Sequence, residues 1–137
     1  KPSRGPLDIK YRPGGLVDVE FLAQYLTLRH AAAHPEILGG NTATTFERLS
    51  QAGCLTKSQA QDLKEATHIW LRFHGFLRLT IGDAPKSDDD LTEGLKATLA
   101  KVLQVKDYAE LKIKLDQTAN TVIRYYQAFL DKDLPLS

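Results

Sequence analysis

Apolar residues recur every three or four positions along most of the chain, which is the spacing of one face of an α-helix. The pattern is clearest from Thr56 to Thr80 and from Asp107 to Asp131, where it matches the seam of a helix bundle. Glycine, proline and capping residues divide the pattern into separate segments. The predicted helices cover residues 16–33, 42–52, 56–80, 91–103 and 107–131. The sequence therefore predicts an all-α fold, a bundle of about five helices with a short extended N-terminal segment.

Capping residues precede three of the predicted helices. Thr56 is followed three positions later by Gln59, and Asp107 is followed three positions later by Glu110. In this pattern the two side chains accept hydrogen bonds from N–H groups at the start of the helix. The fourth helix is expected to be capped by one of the three aspartates at positions 88–90.

The first predicted helix has apolar side chains on more than one face. One stripe comprises Val19, Leu22 and Leu26, and a second comprises Val17, Phe21 and Leu28. A helix with this distribution is usually covered by neighbours on several sides. We therefore expect this helix to be central to the domain.

The first fifteen residues differ from the rest, because they contain three of the six prolines and three of the nine glycines. Apolar and polar residues alternate from Leu7 to Tyr11 as in a short strand, which would place Lys10 and Arg12 on the same side. The sequence thus predicts two parts, an extended junction segment over residues 1–15 and a helical bundle domain over residues 16–137.

Positive charge is concentrated in the junction segment. Lys1, Arg4, Lys10 and Arg12 outweigh Asp8, which gives +3 over the first twelve residues. Gly14 and Gly15 allow close backbone approach at the start of a helix, and free N–H groups there favour anions. We interpret these residues as a candidate phosphate-facing edge. The alternative is an ordinary Gly-Gly turn before a helix.

Polar residues interrupt the apolar faces of the first helix. Glu20 and Gln24 are one turn apart on one face, whereas Asp18 lies about 200° around the helix from Glu20. Carboxylates on such a helix are exposed to solvent, paired with a neighbouring domain, or part of a site. All three interpretations remain open at the level of the residues.

The histidines and the acidic loop do not form a recognisable metal motif. His30 and His34 are four residues apart, but no glutamate accompanies them in the pattern of a zinc helix. His68 and His74 are six apart and are expected to be packing or surface groups. The aspartates at 88–90 lack the glycine-turn spacing of a calcium loop. No metal site is expected, and no catalytic residue is assigned.

Composition narrows the class of protein. The chain has 137 residues, of which 42% are hydrophobic and 26% charged, and a net charge of +1, so a nucleic-acid partner is not expected. Its single cysteine, Cys54, fits a reducing compartment and a semi-buried packing role. No apolar run is long enough to cross a membrane, so we expect a cytoplasmic protein without a membrane partner. Because the sequence contains no Met and begins at Lys1, we expect a piece of a larger protein.

Residues 8–26, read as one string, resemble the signature D-[IL]-K-x-G-x-G-G-[LI]-x-D-[IV]-E-F-x-x-Q of the bacterial glutamine synthetase adenylyltransferases. The segment His34-Pro35-Glu36 and residues 71–79 are also similar to that family. Arg12 stands where the family usually has glycine. The resemblance covers nearly the whole chain, and its specificity lies in residues 8–26.

The resemblance implies a helical domain that follows a nucleotidyltransferase domain in a bifunctional enzyme, here the C-terminal one. Its metal-binding carboxylates belong to a Gly-Ser-x-x-Asp motif that this sequence lacks. ATP and Mg²⁺ would therefore be bound by the other domain, and the chain alone is expected to be inactive. Glutamine synthetase and a PII signalling protein are the implied partners, together with the nucleotidyltransferase domain itself.

The resemblance also implies a role for the candidate residues. Those facing the nucleotide or the catalytic domain would be Lys10, Arg12, Gly14 and Gly15, and those anchoring the junction would be Asp18, Glu20 and Gln24. The alternative function is a stand-alone helical module that binds a protein partner.

Overall fold

The structure is a computed structural model that describes residues 7–80 and 91–133, with side chains as far as residue 130. Within these residues the chain forms five α-helices, one short 3-10 helix and no strand, which confirms the all-α prediction. The α-helices are α1 (Leu16–His30), α2 (Thr42–Gln51), α3 (Lys57–Thr80), α4 (Glu93–Val102) and α5 (Tyr108–Asp133). The 3-10 helix, Pro35–Ile37, lies between α1 and α2.

The predicted caps of α3 and α5 are confirmed. Before α3, the Gln59 N–H donates to Thr56 Oγ1 at 3.0 Å, and the Thr56 N–H donates to Gln59 Oε1 at 2.9 Å. Before α5, the Glu110 N–H donates to Asp107 Oδ1 at 2.9 Å. Each bond satisfies an N–H group that has no partner inside the helix.

The predicted helix boundaries are shifted by up to three residues, and two of these shifts have a clear cause. The cap of α4 is Thr92, whose Oγ1 accepts from the Leu95 N–H at 3.1 Å, so the helix begins at Glu93 and not at residue 91. Threonine caps nearly as well as aspartate, and Thr92 is closer to the first turn than the aspartates at 88–90, which lie outside the described residues. The second shift is at the C-terminal end of α1. This helix ends at His30, three residues before the predicted end at residue 33, and turns then lead into the 3-10 helix at Pro35.

The core lies where α3 and α5 face the other helices. Trp70 and Phe73 of α3 are fully buried, as are Phe46 of α2 and Leu111 and Val122 of α5. Burying each side chain of this size contributes about 1.5–3 kcal/mol. The helical spacing read from the sequence of α3 and α5 is therefore confirmed as the core-facing seam.

The expectation that α1 is covered on several faces is wrong. Leu22 and Leu26 are buried, but Val17 and Phe21 are 37% and 44% exposed, and Leu28 is 83% exposed. The helices α2, α3 and α5 all contact α1, and the Phe21 ring centroid lies 5.8 Å from that of Tyr126 in α5, but these contacts leave the second stripe partly exposed. One face of α1 thus remains apolar and open.

The strand-like pattern at residues 7–11 forms turns instead. The Arg12 N–H donates to the Asp8 carbonyl at 3.0 Å, which curls the segment, and Leu7 and Ile9 are 2% and 1% exposed in the same core as the helices. A lone strand with no neighbour leaves its N–H and C=O groups unpaired, and curling pairs some of them locally. The division of the chain at residue 15 stays a prediction.

Candidate functional site

The segment that carries the signature folds back on the start of α1. The Leu16 N–H donates to the Ile9 carbonyl at 2.8 Å, and the Val17 N–H donates to the Lys10 carbonyl at 3.0 Å. These are the first two N–H groups of α1, and both are occupied by the chain's own backbone. The expectation of free N–H groups for an anion is therefore wrong at these two positions.

Gly14 lies at the centre of this fold-back. Its N–H donates to Asp18 Oδ2 at 2.7 Å, and its carbonyl accepts from Trp70 Nε1 at 3.0 Å. Its φ of +76° is in the left-handed region, and a Cβ atom there would lie 2.2 Å from the Ala119 carbonyl oxygen. Gly15 is similarly confined, because its Cβ would lie 2.1 Å from the Ile9 oxygen. The two glycines allow close approach to protein backbone in this structure.

Arg12 is held by contacts within the chain. Its Nη2 lies 2.8 Å from Asp116 Oδ1 of α5, its Cζ lies 6.0 Å from the Trp70 ring centroid, and its side chain is only 15% exposed. Lys10 is half-buried, with Nζ 5.3 Å from the Tyr11 ring centroid. Arg12 therefore joins the signature segment to α3 and α5, whereas the contact of Lys10 is with the neighbouring Tyr11.

His74 of α3 belongs to the same neighbourhood, which the sequence pattern does not reveal. Burial lowers the pKa of His74, and the positive charges of Lys10 and Arg78 lower that pKa further, while Glu20 and Asp8 act in the opposite direction. The imidazole is therefore neutral at neutral pH. The structure thus brings a fourth titratable side chain to Asp8, Lys10 and Glu20, from a helix with no local signal linking it to them.

Glu20 and Gln24 line a different surface from Asp18, as their angular separation predicts. Asp18 faces Gly14, whereas Glu20 and Gln24 line a groove of about 690 Å³ between α1, the loop at Gly39 and the start of α2. The seven predicted site residues therefore divide into two groups. Those whose contacts organise the start of α1 are Arg12, Gly14, Gly15 and Asp18, and the others are Lys10 and the groove residues Glu20 and Gln24.

The histidines, the acidic residues and Cys54 form neither a metal site nor a reactive thiol in the described part of the chain. No group of three or more His, Cys, Asp or Glu side chains in residues 7–80 and 91–133 is arranged to hold a metal ion. His34 Nδ1 lies 3.2 Å from Glu36 Oε2. Cys54 is half-buried, and burial and the Glu36 charge raise the pKa of its thiol, which disfavours a reactive thiolate. Among the described helices, none is long and apolar enough to cross a membrane.

A protein-family model described as GlnD PII-uridylyltransferase matches residues 4–130. The chain belongs to this family. Three curated relatives are each named bifunctional glutamine synthetase adenylyltransferase/adenylyl-removing enzyme, which confirms the resemblance found in residues 8–26. No solved structure matches the chain significantly.

These relatives match almost all of the chain but only a small part of their own length. The relative from Bradyrhizobium diazoefficiens is 32% identical over 130 residues, which is 95% of this chain and 13% of the relative. That from Rhodopseudomonas palustris is 33% identical over 126 residues, 92% of this chain and 13% of the relative. That from Xanthobacter autotrophicus is 36% identical over 124 residues, 90% of this chain and 12% of the relative.

Proposed function

We propose that the chain is the C-terminal helical domain of a bifunctional glutamine synthetase adenylyltransferase/adenylyl-removing enzyme. In this role it supports transfer of AMP from ATP to a tyrosine of glutamine synthetase in the cytoplasm. The supporting observation is the 32–36% identity to three relatives of that name over at least 90% of this chain. The family description names a PII-uridylyltransferase, but the relatives' shared name favours adenylyl transfer.

The chemical step itself is assigned to a nucleotidyltransferase domain. Nucleotidyl transfer requires metal-bound phosphates and positioned charges. The described residues do not fit a Mg²⁺ site, because no three of their acidic, histidine or cysteine side chains converge on one point. The first two N–H groups of α1 are also occupied. We therefore assign no catalytic residue to this chain, and we expect it to be inactive alone.

The residues of the signature have two roles in this proposal. Arg12, Gly14 and Asp18 fix the start of α1 through the contacts described above. Lys10 is the remaining basic residue of the described signature segment, and it is the residue that we assign to the nucleotide or the catalytic domain. Glu20 and Gln24, which line the groove, are assigned to the junction with that domain.

The test is charge reversal at Lys10 in the full-length enzyme. Lys10→Glu should lower the rate of AMP transfer to glutamine synthetase by about tenfold or more, since positioning contacts are worth at least this much. Circular dichroism should show an unchanged helical content. The matched control is Lys101→Glu on the exposed face of α4, which should retain the rate. Wild-type kinetics in Lys10→Glu would overturn the role given to Lys10.

A second candidate is a stand-alone helical module that docks a protein partner. It is favoured by the open apolar face of α1, where Val17, Phe21 and Leu28 are exposed. The two functions are separated by incubating the 137-residue chain with glutamine synthetase, PII and labelled ATP. We expect no label transfer. Tight binding of either protein by the chain alone, without a nucleotidyltransferase domain, would favour the module.

A further inference from the structure

The groove between α1 and α2 has the size of a binding site. Its volume of about 690 Å³ lies within the range of roughly 300–1,000 Å³ that is usual for ligand pockets. Glu20 and Gln24 contribute polar groups, and the exposed side chain of Leu28 contributes apolar surface. The groove therefore combines the Glu20 carboxylate with an apolar surface.

The polar lining is rich in hydrogen-bond acceptors. Thr27 donates its hydroxyl proton to the Ala23 carbonyl at 2.8 Å, and Thr45 donates to the Asn41 carbonyl at 3.0 Å. Each hydroxyl oxygen keeps lone pairs that can accept a further bond. The half-buried Glu20 carboxylate makes no hydrogen bond or ion pair with any residue in the described part of the chain. The groove therefore offers acceptors to a donor that the described chain does not supply.

Lys10 and Arg78 act electrostatically on the same His74 as Glu20 does, but no ion pair joins either of them to Glu20 among the described residues. No Lys, Arg or His belongs to the residues that line the groove. Arg48 is occupied elsewhere, because its Nη1 donates to the Leu38 and Gly39 carbonyls, both at 2.7 Å. His74, which interacts electrostatically with Glu20, is neutral at neutral pH because its pKa is lowered by burial. The negative charge in the groove is thus available to a cation from outside.

We propose that this groove binds the side chain of an arginine presented by a protein partner. A guanidinium group has five N–H donors in one plane, which suits a carboxylate flanked by hydroxyl oxygens better than the point charge of lysine. The three methylene groups of the arginine would lie along Leu28. The proposal deepens the proposed function and rests on it for the presenting surface, because Glu20 and Gln24 are assigned there to the junction with the nucleotidyltransferase domain.

The rim of the groove favours a polypeptide over free arginine. Leu28, which lines the groove, is 83% exposed and so offers apolar contact to a residue beside the bound arginine. Free arginine has no such neighbours, and its two charged backbone groups would have to stay hydrated next to the apolar rim. The partner is therefore a segment in which an apolar residue lies next to an arginine.

The test is a nuclear magnetic resonance titration of the isotope-labelled 137-residue chain. The probe is the blocked tripeptide Leu-Arg-Leu, and its matched control carries citrulline, which has the shape of arginine without the charge. We expect saturable shifts of the Gln24, Thr27 and Thr42 amides with the arginine peptide. Loss of a charge-assisted hydrogen bond should weaken binding of the citrulline peptide by about tenfold or more. Free arginine should bind more weakly than the peptide.

Two variants assign the effect to the groove. Glu20→Gln should weaken binding of the arginine peptide by the same factor as citrulline does, whereas Glu65→Gln, an exposed carboxylate of α3, should leave it unchanged. The proposal is overturned by equal affinity for the citrulline peptide, by wild-type affinity in Glu20→Gln, or by the absence of saturable shifts up to about 10 mM peptide. Equal affinity for free arginine would overturn the assignment to a protein partner. None of these readouts involves ATP or glutamine synthetase, so a failure of this proposal is distinguishable from a failure of the proposed function.

Discussion

At the scale of single residues, Gly14 is subject to three constraints at once. Its φ is +76°, its N–H and carbonyl are both bonded to side chains, and its Cα faces the α5 backbone at Ala119. A side chain there would meet both backbone strain and steric overlap. The glycine of the signature is thus explained by packing within the chain, without a bound phosphate.

Replacement of Gly14 by alanine should be strongly destabilising. The left-handed conformation costs roughly 1–2 kcal/mol, and a Cβ atom 2.2 Å from the Ala119 oxygen forces the backbone apart at a further cost of about 1–3 kcal/mol. We expect Gly14→Ala to lower the free energy of unfolding by about 3 kcal/mol, measured by urea denaturation.

Gly53 provides the matched control for this substitution. Its φ is +82°, but no atom lies within 4 Å of the position of its Cβ. Gly53→Ala should therefore show only the conformational cost of roughly 1–2 kcal/mol. Equal losses in the two variants would contradict the role given to the contact with Ala119.

At the scale of elements, α3 continues through Gly75 without interruption. The helix covers Lys57–Thr80, and no atom lies within 4 Å of where a Cβ at Gly75 would be. Gly75→Ala should therefore raise the free energy of unfolding by about 0.5–1 kcal/mol, since alanine restricts the unfolded chain more than glycine. Thermal denaturation and urea denaturation both measure this change in the free energy of unfolding. A loss of stability would show that Gly75 has a packing role.

The ion pair between Arg12 and Asp116 joins the signature segment to α5. Asp116 is 63% exposed, so the pair should contribute only about 0.5–1 kcal/mol. A double-mutant cycle of Arg12→Gln and Asp116→Asn measures this coupling, which should decrease at high salt. A coupling near zero at low salt would mean that the pair with Asp116 does not hold the segment against α5.

At the scale of the whole molecule, His74 makes stability depend on pH. Its pKa in the folded chain is lowered from the usual 6.5 by burial, Lys10 and Arg78, against Glu20 and Asp8. The unfolded state then binds a proton more readily than the folded state as the pH falls. The contribution of His74 to the free energy of unfolding is therefore fully present above pH 6.5. It is lost as the pH falls through the lower pKa of His74 in the folded state.

His74→Gln should flatten this dependence. Urea denaturation at several pH values between neutral and mildly acidic gives the slope of the unfolding free energy, and the variant should have a smaller slope than the wild type. His68→Gln, an exposed histidine of the same helix, should retain the wild-type slope. An unchanged slope in His74→Gln would assign the dependence to other groups.

The helices could be predicted because their signals are local. Thr56 and Gln59 form their cap within one turn, and the apolar spacing of α3 and α5 repeats every three or four residues. The predicted strand at residues 7–11 was wrong because a strand needs a partner, which the alternation of residues cannot supply.

The candidate site could be predicted only in part. The opposite facing of Asp18 and Glu20 follows from helix geometry, and the structure agrees with it. The bond from Trp70 to Gly14 spans 56 positions, and that from Arg12 to Asp116 spans 104. Such pairings are set by tertiary packing, which no local pattern encodes.

The packing of Gly14 against Ala119 has a consequence for the order in which the chain acquires its structure. The signature segment precedes the α5 backbone that it packs against by about a hundred residues of intervening chain. The contacts between the signature segment and α5 therefore form late in folding, because a loop of about a hundred residues must close first. Opening of α5 releases the segment in the same step, so the Gly14 and Leu16 amides should exchange with solvent together with those of α5.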